Sequence, residues 1–298
     1  MSSLPVLLLL VIVLAMHATC SAMALRTKFT RAEVLKPFVE GKALKVISGL
    51  KNFDAASVKN VVYSASVGGA SHVDIACDPS LVQLVRAATS GNIPVCVSSI
   101  DPLSFISAVH AGADMVEIGN FDGFYDQGIK FTADDVLKMT RETRELLPTI
   151  PLSVTIPHTL KLEQQISLAQ RLEALGVDII QTEGKMSVNT SSLGVQELIE
   201  VAAPTIASAY ALSRAVNIPV MCASGITDIT APLALAAGAR GVGVGSMVNK
   251  LPTQQQMILA VSAIAAAMGR NVDDVAMPEV EVEPVAAKQS ISSRLFRF

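Results

Sequence analysis

The sequence is poor in several things. It has no tryptophan, three tyrosines, nine phenylalanines and four histidines in 298 residues. Asp, Glu, Lys and Arg together make up 16%, well below the quarter usual for soluble proteins. Four cysteines are too few for a disulfide scaffold. Neither sign of charge dominates: the formal net charge is −3, which argues against holding nucleic acid by charge. No His, Cys and Asp cluster has metal-ligand spacing, so a structural zinc and a metal site in general are not expected. There is no nucleophile elbow and no Walker motif. What is abundant is apolar residue, at 51%, too much for a disordered chain.

Part of that excess lies at the front. Residues 4–16 read LPVLLLLVIVLAM, 13 apolar residues, where a spanning helix needs about 20. Small residues follow at Cys20-Ser21-Ala22. This is the form of a secretory signal over residues 1–22, although Met1-Ser2-Ser3 carries no base; a membrane anchor is the alternative. Residues 23–36 carry Arg26, Lys28, Arg31 and Lys36 against one acid, Glu33. They read either as a short transit peptide or as the first helix of the domain. A leader followed by a transit-like stretch suits import into the stroma of a plastid with extra membranes, with the secretory pathway as the alternative and no membrane association after processing. Without the leader three cysteines remain, Cys77, Cys96 and Cys222, all in apolar runs, which suits a reducing interior.

Residues 37–270 alternate short apolar runs with helical patterns. Strands are predicted near 43–48, 72–76, 94–98, 114–119, 151–156, 177–183, 218–223 and 240–245. Between them lie helical segments such as SLVQLVRAA and ADDVLKMTRETREL. Eight strands in about 240 residues predict a parallel (β/α)8 TIM barrel. A doubly wound sheet also alternates, but it does not explain a repeat in which even strands follow Gly69-Ala70, Gly112-Ala113, Gly176-Val177 and Gly238-Ala239. Three odd strands open with Ile93-Pro94, Ile150-Pro151 and Ile218-Pro219. The tail, 271–298, reads as a flexible extension, or as a docking peptide.

The repeat also gives a register. Five residues beyond each even-strand glycine stand Asp74, Glu117, Gln181 and Gly243; two further on stand Ala76, Gly119, Glu183 and Gly245. Side chains two apart share a face. Asp74, Glu117, Gln181 and Glu183 therefore point into the barrel with Lys45, Cys96, Ser98, Ser153 and Thr155. Val73, Ile75, Val116, Ile118, Ile179 and Ile180 mostly take the other face. Charges in a barrel interior are costly unless paired, which makes them functional candidates. The structural alternative is a salt-bridge layer of Lys45 with Asp74 or Glu117 that plugs the barrel.

Strand seven ends in CASGI and strand eight reads GVGVGS. Ser224, Gly225, Gly243, Gly245 and Ser246, with Ser48 and Gly49 after the first strand, are the expected phosphate cradle. Backbone N–H groups approach an anion there, Ser246 caps a short helix, and neither Lys250 nor Arg240 is required. The alternative for these glycines is close helix–strand packing. Beyond the strand ends stand Asp78, Asn120, Asp122, Thr155, His158 and Glu183. His158 is either an acid–base group or a loop anchor. The loop KMSVNTSSLG, holding Met186 and Asn189 as plain loop residues, is a candidate lid.

The runs LKVISGLKNFD, GGASHVDIACDP, GADMVEIGNFDGFY, LSVTIPHTL, GVDIIQTEG and GARGVGVGSMVNKL resemble one family. It is the "hypothetical chloroplast reading frame" family numbered twenty-three, over about residues 30–270. The resemblance implies a plastid setting and a TIM barrel related to aldolase-type and FMN-linked barrels; it carries no activity.

The leading functional expectation is an enzyme that holds a phosphorylated metabolite. Lys45, Asp74, Glu117, His158 and Glu183 would be catalytic, and Asn120, Thr155 and Gln181 would touch substrate. Lysine with carboxylates permits isomerase, epimerase or lyase chemistry next to a carbonyl, or a Schiff base on Lys45. Two alternatives stand beside it: an FMN-linked oxidoreductase with Lys45 facing the flavin, and a non-enzymatic sensor or assembly factor. A homo-oligomer is compatible with all three.

Overall fold

Glycine and proline punctuate the chain. Gly69, Gly112, Gly176 and Gly238 close four helices with φ between +78° and +112°, a region in which an L side chain is strained. Pro94, Pro151 and Pro219 stand one residue ahead of three strands. Having no N–H to give, each offers its carbonyl to the neighbouring strand, accepting from Val73, Val116 and Ile180 at 3.0–3.1 Å.

The computed structural model describes residues 27–184 and 192–271. Its elements run α1 (Arg31–Val39), β1 (Ala43–Gly49), α2 (Ala55–Val67), β2 (His72–Ala76), α3 (Pro79–Ala88), β3 (Val95–Ser99), α4 (Ser104–His110), β4 (Met115–Ile118), α5 (Asp122–Tyr125) and α6 (Ala133–Leu146). They continue β5 (Leu152–Thr155), α7 (Leu162–Ala174), β6 (Ile179–Gln181), α8 (Val195–Ala215), β7 (Val220–Ala223), α9 (Ala231–Ala236), β8 (Gly241–Val244), α10 (Ser246–Asn249) and α11 (Gln254–Ala267). The strands form a closed parallel barrel in chain order, with β8 pairing back onto β1. The (β/α)8 TIM barrel read from the sequence is the fold.

The core has two parts. Val46, Val73, Ile75, Val116, Ile118 and Ile180 pack between strands and helices. Inside the barrel's lower end Ala43, Cys96, Met115, Ile179 and Met221 pack against Val34 and Phe38 of α1, which stoppers that end. Ile179 therefore faces inward, not outward with Ile180. His72 fastens the stopper: its Nε2 lies 2.9 Å from the Val34 carbonyl, and its ring lies 5.0 Å from that of Phe38. Burial pushes its pKa down to about 3, so it is neutral there.

Just ahead of α1 the amides of Lys28 and Phe29 donate to Asp114 at 3.0 and 3.2 Å. The barrel domain thus takes in residues 28–36, and its boundary lies ahead of residue 37. The leader (1–22), the loop with Met186 and Asn189, and the tail beyond Asn271 lie outside the described residues. Among the described residues no helix is long and apolar enough to cross a membrane, no group of side chains has the makings of a metal site, and Cys77, Cys96 and Cys222 are free thiols.

Candidate active site

A polar layer crosses the middle of the barrel. Lys45 on β1 and Glu117 on β4 are fully buried and ion-paired. Burial alone would lower the Lys45 pKa, but Glu117 and then Asp74 outweigh it and hold the ammonium above its usual range. Glu117 also accepts from Gln181 Nε2 at 2.7 Å and Thr155 Oγ1 at 3.4 Å. Asp74 accepts from Ser98 Oγ at 2.6 Å and Asn120 Nδ2 at 3.1 Å. Burial pushes its pKa up to about 6, against the pull of Lys45.

Above this layer, at the C-terminal ends of the strands, a cavity of about 300 Å³ opens. Ile47, Asn120, Thr155, Gln181 and Gly243 are among the residues lining it, and Asp122, Glu183, Ser224, Gly225, Gly245, Ser246 and Lys250 line it further. Lys45, Asp74, Glu117 and His158 do not. The first three are fully buried inside the barrel and do not open onto it. Lys45, ion-paired with Glu117, does not open onto the cavity where a Schiff base or a flavin would have to meet it. The one cation lining the cavity among the described residues is Lys250, so the contact expected to hold the flavin ring is missing, and the residues present do not fit FMN in that pose.

Two ends of the cavity differ in chemistry. At one end Ser224 and Gly225 take φ of +81° and +69° in succession. A non-glycine residue held in this region is strained, and such strain persists where surrounding structure imposes it. Side chains are excluded closely here: a Cβ on Gly225 would fall 2.6 Å from Val201, and one on Gly184 3.1 Å from the Ser224 Cβ. The amides of Gly225 and Ser246 meet no acceptor among the described residues. Ser246 is not the cap of its helix as expected: Gly245 occupies the N-cap and no side chain caps it. Ser48 takes no part in the cavity, its hydroxyl accepting from Asn52 Nδ2 at 2.9 Å. Gly49 lines an adjoining cleft of about 230 Å³ that shares Ile47, Asn120, Asp122 and Gly245 with the main cavity.

At the other end sits a carboxyl pair. Glu183 accepts from the Asp122 amide at 3.0 Å, Tyr125 Oη at 2.6 Å, the His158 amide at 3.2 Å and His158 Nδ1 at 3.0 Å. Four donors on two oxygens suit a carboxylate, which only accepts. Burial, then the charge and hydrogen bond of Glu183, push the Asp122 carboxyl up to about 7. Tyr125 is pushed up as well, by burial and then by Glu183. His158 packs edge-on to Tyr125 at 4.8 Å, so both hold Glu183 in place. Asp78 is structural: it caps α3 at Ser80 and Leu81. Sequence reasoning placed Asp122 beyond strand four without giving it a role, and missed Tyr125. The run NFDGFYDQG contained the signal, two acids around a pair of aromatics beyond a strand end, but not the fold-back that joins it to Glu183.

Residues 30–274 match the family model described as "Protein of unknown function (DUF561)". The chain is 47% identical over 224 residues to "Uncharacterized protein ycf23" of Cyanophora paradoxa, covering 75% of this chain and 91% of that one. It is 41% identical over 223 residues to the protein of that name from Antithamnion sp., covering 72% and 80%. Among solved structures it is similar to (S)-3-O-geranylgeranylglyceryl phosphate synthase from Thermoplasma acidophilum, in complex with substrate sn-glycerol-1-phosphate, with TM-score 0.56 and 12% identity over 80% of this chain and 98% of that one. It is also similar to 3-hexulose-6-phosphate synthase, with TM-score 0.54 and 15% identity over 76% and 99%. These two likenesses are of fold.

Proposed function

The chain belongs to the DUF561 family, and for it we propose an enzyme that binds a small phosphorylated metabolite and moves a proton at a carbon next to a carbonyl. The observation that carries this reading is one cavity lined both by the unmet amides of Gly225 and Ser246 and by the Asp122–Glu183 carboxyl pair. The amides of Gly225 and Ser246, beside Gly243, Gly245 and Ser224, receive the phosphate, with Lys250 adding charge. The solved structures of similar fold include a synthase in complex with sn-glycerol-1-phosphate and 3-hexulose-6-phosphate synthase, which agrees with an anion at this face.

The other end supplies the chemistry. Asp122, with a pKa of about 7, holds a proton near neutrality beside the Glu183 carboxylate. Glu183 takes the proton from carbon, and Asp122 donates its own to the carbonyl oxygen as the enediol forms; the reverse delivers the proton to the neighbouring carbon. Isomerase, epimerase and lyase reactions share this first step. Tyr125 and His158 position Glu183, and Lys45, Asp74 and Glu117 hold the floor.

The test is hydrogen exchange. Dihydroxyacetone phosphate, ribulose 5-phosphate and fructose 6-phosphate are incubated with the full chain in D2O and followed by proton NMR. At least one should lose a carbon-bound proton signal, with a rate that falls as pH rises above about 7 and Asp122 loses its proton. Asp122→Asn and Glu183→Gln should each slow it by about 100-fold or more. Phosphate ester binding without exchange in any of them would replace the enzyme with a sensor.

We place the protein in the plastid stroma, in keeping with the ycf23 names of its relatives. Residues 1–36 fused to a fluorescent protein should reach the plastid of an alga with a secondary plastid; secretion of the fusion would overturn this.

A further inference from the structure

Gln181 carries a hydrogen-bonding atom that the protein leaves unmet. Its side chain is 2% exposed and forms part of the cavity floor. The Nε2 end is committed: it donates to Glu117 Oε1 at 2.7 Å and to Thr155 Oγ1 at 3.1 Å. Glu117 is paired with Lys45, and a carboxylate only accepts, so the amide cannot turn its oxygen to that side. Oε1 must face the other way. It lies 3.5 Å from where a Cβ on Gly243 would stand, and it is buried with no hydrogen-bond partner. The same point is bordered by Ala223 Cβ and Ile47 Cδ1, at 3.0 and 3.1 Å, neither of which donates.

A buried acceptor without a donor costs free energy, and a ligand that brings the donor recovers it. We propose that Gln181 Oε1 accepts a hydrogen bond from a substrate hydroxyl, so that the substrate class is a hydroxylated phosphate ester. This rests on the phosphate reading above and adds to it a fixed polarity. A keto oxygen at this point would set acceptor against acceptor, so the carbonyl lies toward Asp122 and Glu183 and the hydroxyl toward Gln181. Gly243 stands two residues before Gly245 on the path of β8, a rise of roughly 6–7 Å. That distance suits a hydroxyl roughly two or three carbons from the phosphate. The buried Lys45–Glu117 pair thereby gains a purpose. It is a positioning pair that fixes which end of the Gln181 amide the substrate meets.

Three esters with the same three-carbon chain separate the outcomes: n-propyl phosphate, 2-hydroxypropyl phosphate and 3-hydroxypropyl phosphate, titrated calorimetrically into the full chain, with inorganic phosphate alongside. One of the hydroxy esters should bind about tenfold or more tighter than the propyl ester. Gln181→Met, close in volume but without an acceptor, should bind all three within about twofold of one another. Equal binding of the three by the unaltered protein overturns the assignment, because Oε1 is then served by water, while the phosphate reading stands. Discrimination that persists in Gln181→Met also overturns it, by placing the acceptor elsewhere. If neither inorganic phosphate nor any ester binds, the phosphate reading falls and the assignment with it. The comparison in the unaltered protein decides the matter even if the variant does not fold.

Discussion

Lys45 and Glu117 hold opposite charges where no solvent reaches them, and each is tolerable only because of the other. Removing one partner of a buried pair strands a charge and costs about 3–5 kcal/mol, whereas replacing both is often close to neutral. Lys45→Met should therefore lower stability by about 3–5 kcal/mol in urea melts, and Lys45→Met combined with Glu117→Leu by much less than the sum of the single changes. Additive costs would show that the two charges are not coupled. At this scale the sequence was informative about depth and silent about partners. Counting from the glycines turned Asp74, Glu117 and Gln181 inward, and the same alternation on the first strand turned Lys45 inward, because period-two alternation is local. Which side chain meets which depends on barrel closure: Lys45 reaches across the interior to Glu117 on the fourth strand, 72 residues away. The height of the cavity floor was hidden for the same reason, so three charges expected around a reacting carbon lie beneath it.

Elements were legible where punctuation was regular. The strands expected from the glycines and Ile-Pro pairs begin and end within two residues of the observed ones, and helices with acidic or hydroxyl caps, such as Asp78 before α3 and Thr132 before α6, begin where those caps stand. Elements too short for a period were not. The helix α5 has four residues, no fully buried side chain and no side-chain cap, so its sequence reads as loop. Its effect is nevertheless large: it turns the Asp122 amide and the Tyr125 hydroxyl onto Glu183. The converse case is α8, which runs 21 residues with Pro204 inside it. A proline there removes a helical hydrogen bond. The adjoining Thr205 fastens this part of the helix to the barrel, pairing with Thr182 Oγ1 at 2.6 Å and donating to the Ala223 carbonyl. Val201, just before it, lines the cavity and leaves room for Gly225 alone.

For the whole molecule, the two ends of the barrel divide the work. The lower end ties the chain together. Arg240 donates to the Phe38 and Val39 carbonyls at the end of the stopper helix, and Arg270, after the last helix, donates to the carbonyls of Gly69 and Lys42. The upper end carries the cavity and leaves amides unmet. Conserving fold at one end and varying chemistry at the other is how such barrels work, and it makes stability and binding separable. Arg270→Met strands two carbonyl acceptors and should cost about 2 kcal/mol in urea melts, with the affinity for phosphate esters unchanged within about twofold. Gly245→Val should do the reverse. Its added Cβ meets nothing nearer than 3.4 Å, so the barrel closes as before, while the branched methyls enter the space where the anion would lie. Affinity should fall by at least tenfold with little loss of stability. The two variants, measured on the same preparations by melt and by titration, test the division directly. If both quantities fell together in both variants, the cavity and the frame would be one cooperative unit, and the cradle would have to be read as close packing of small residues.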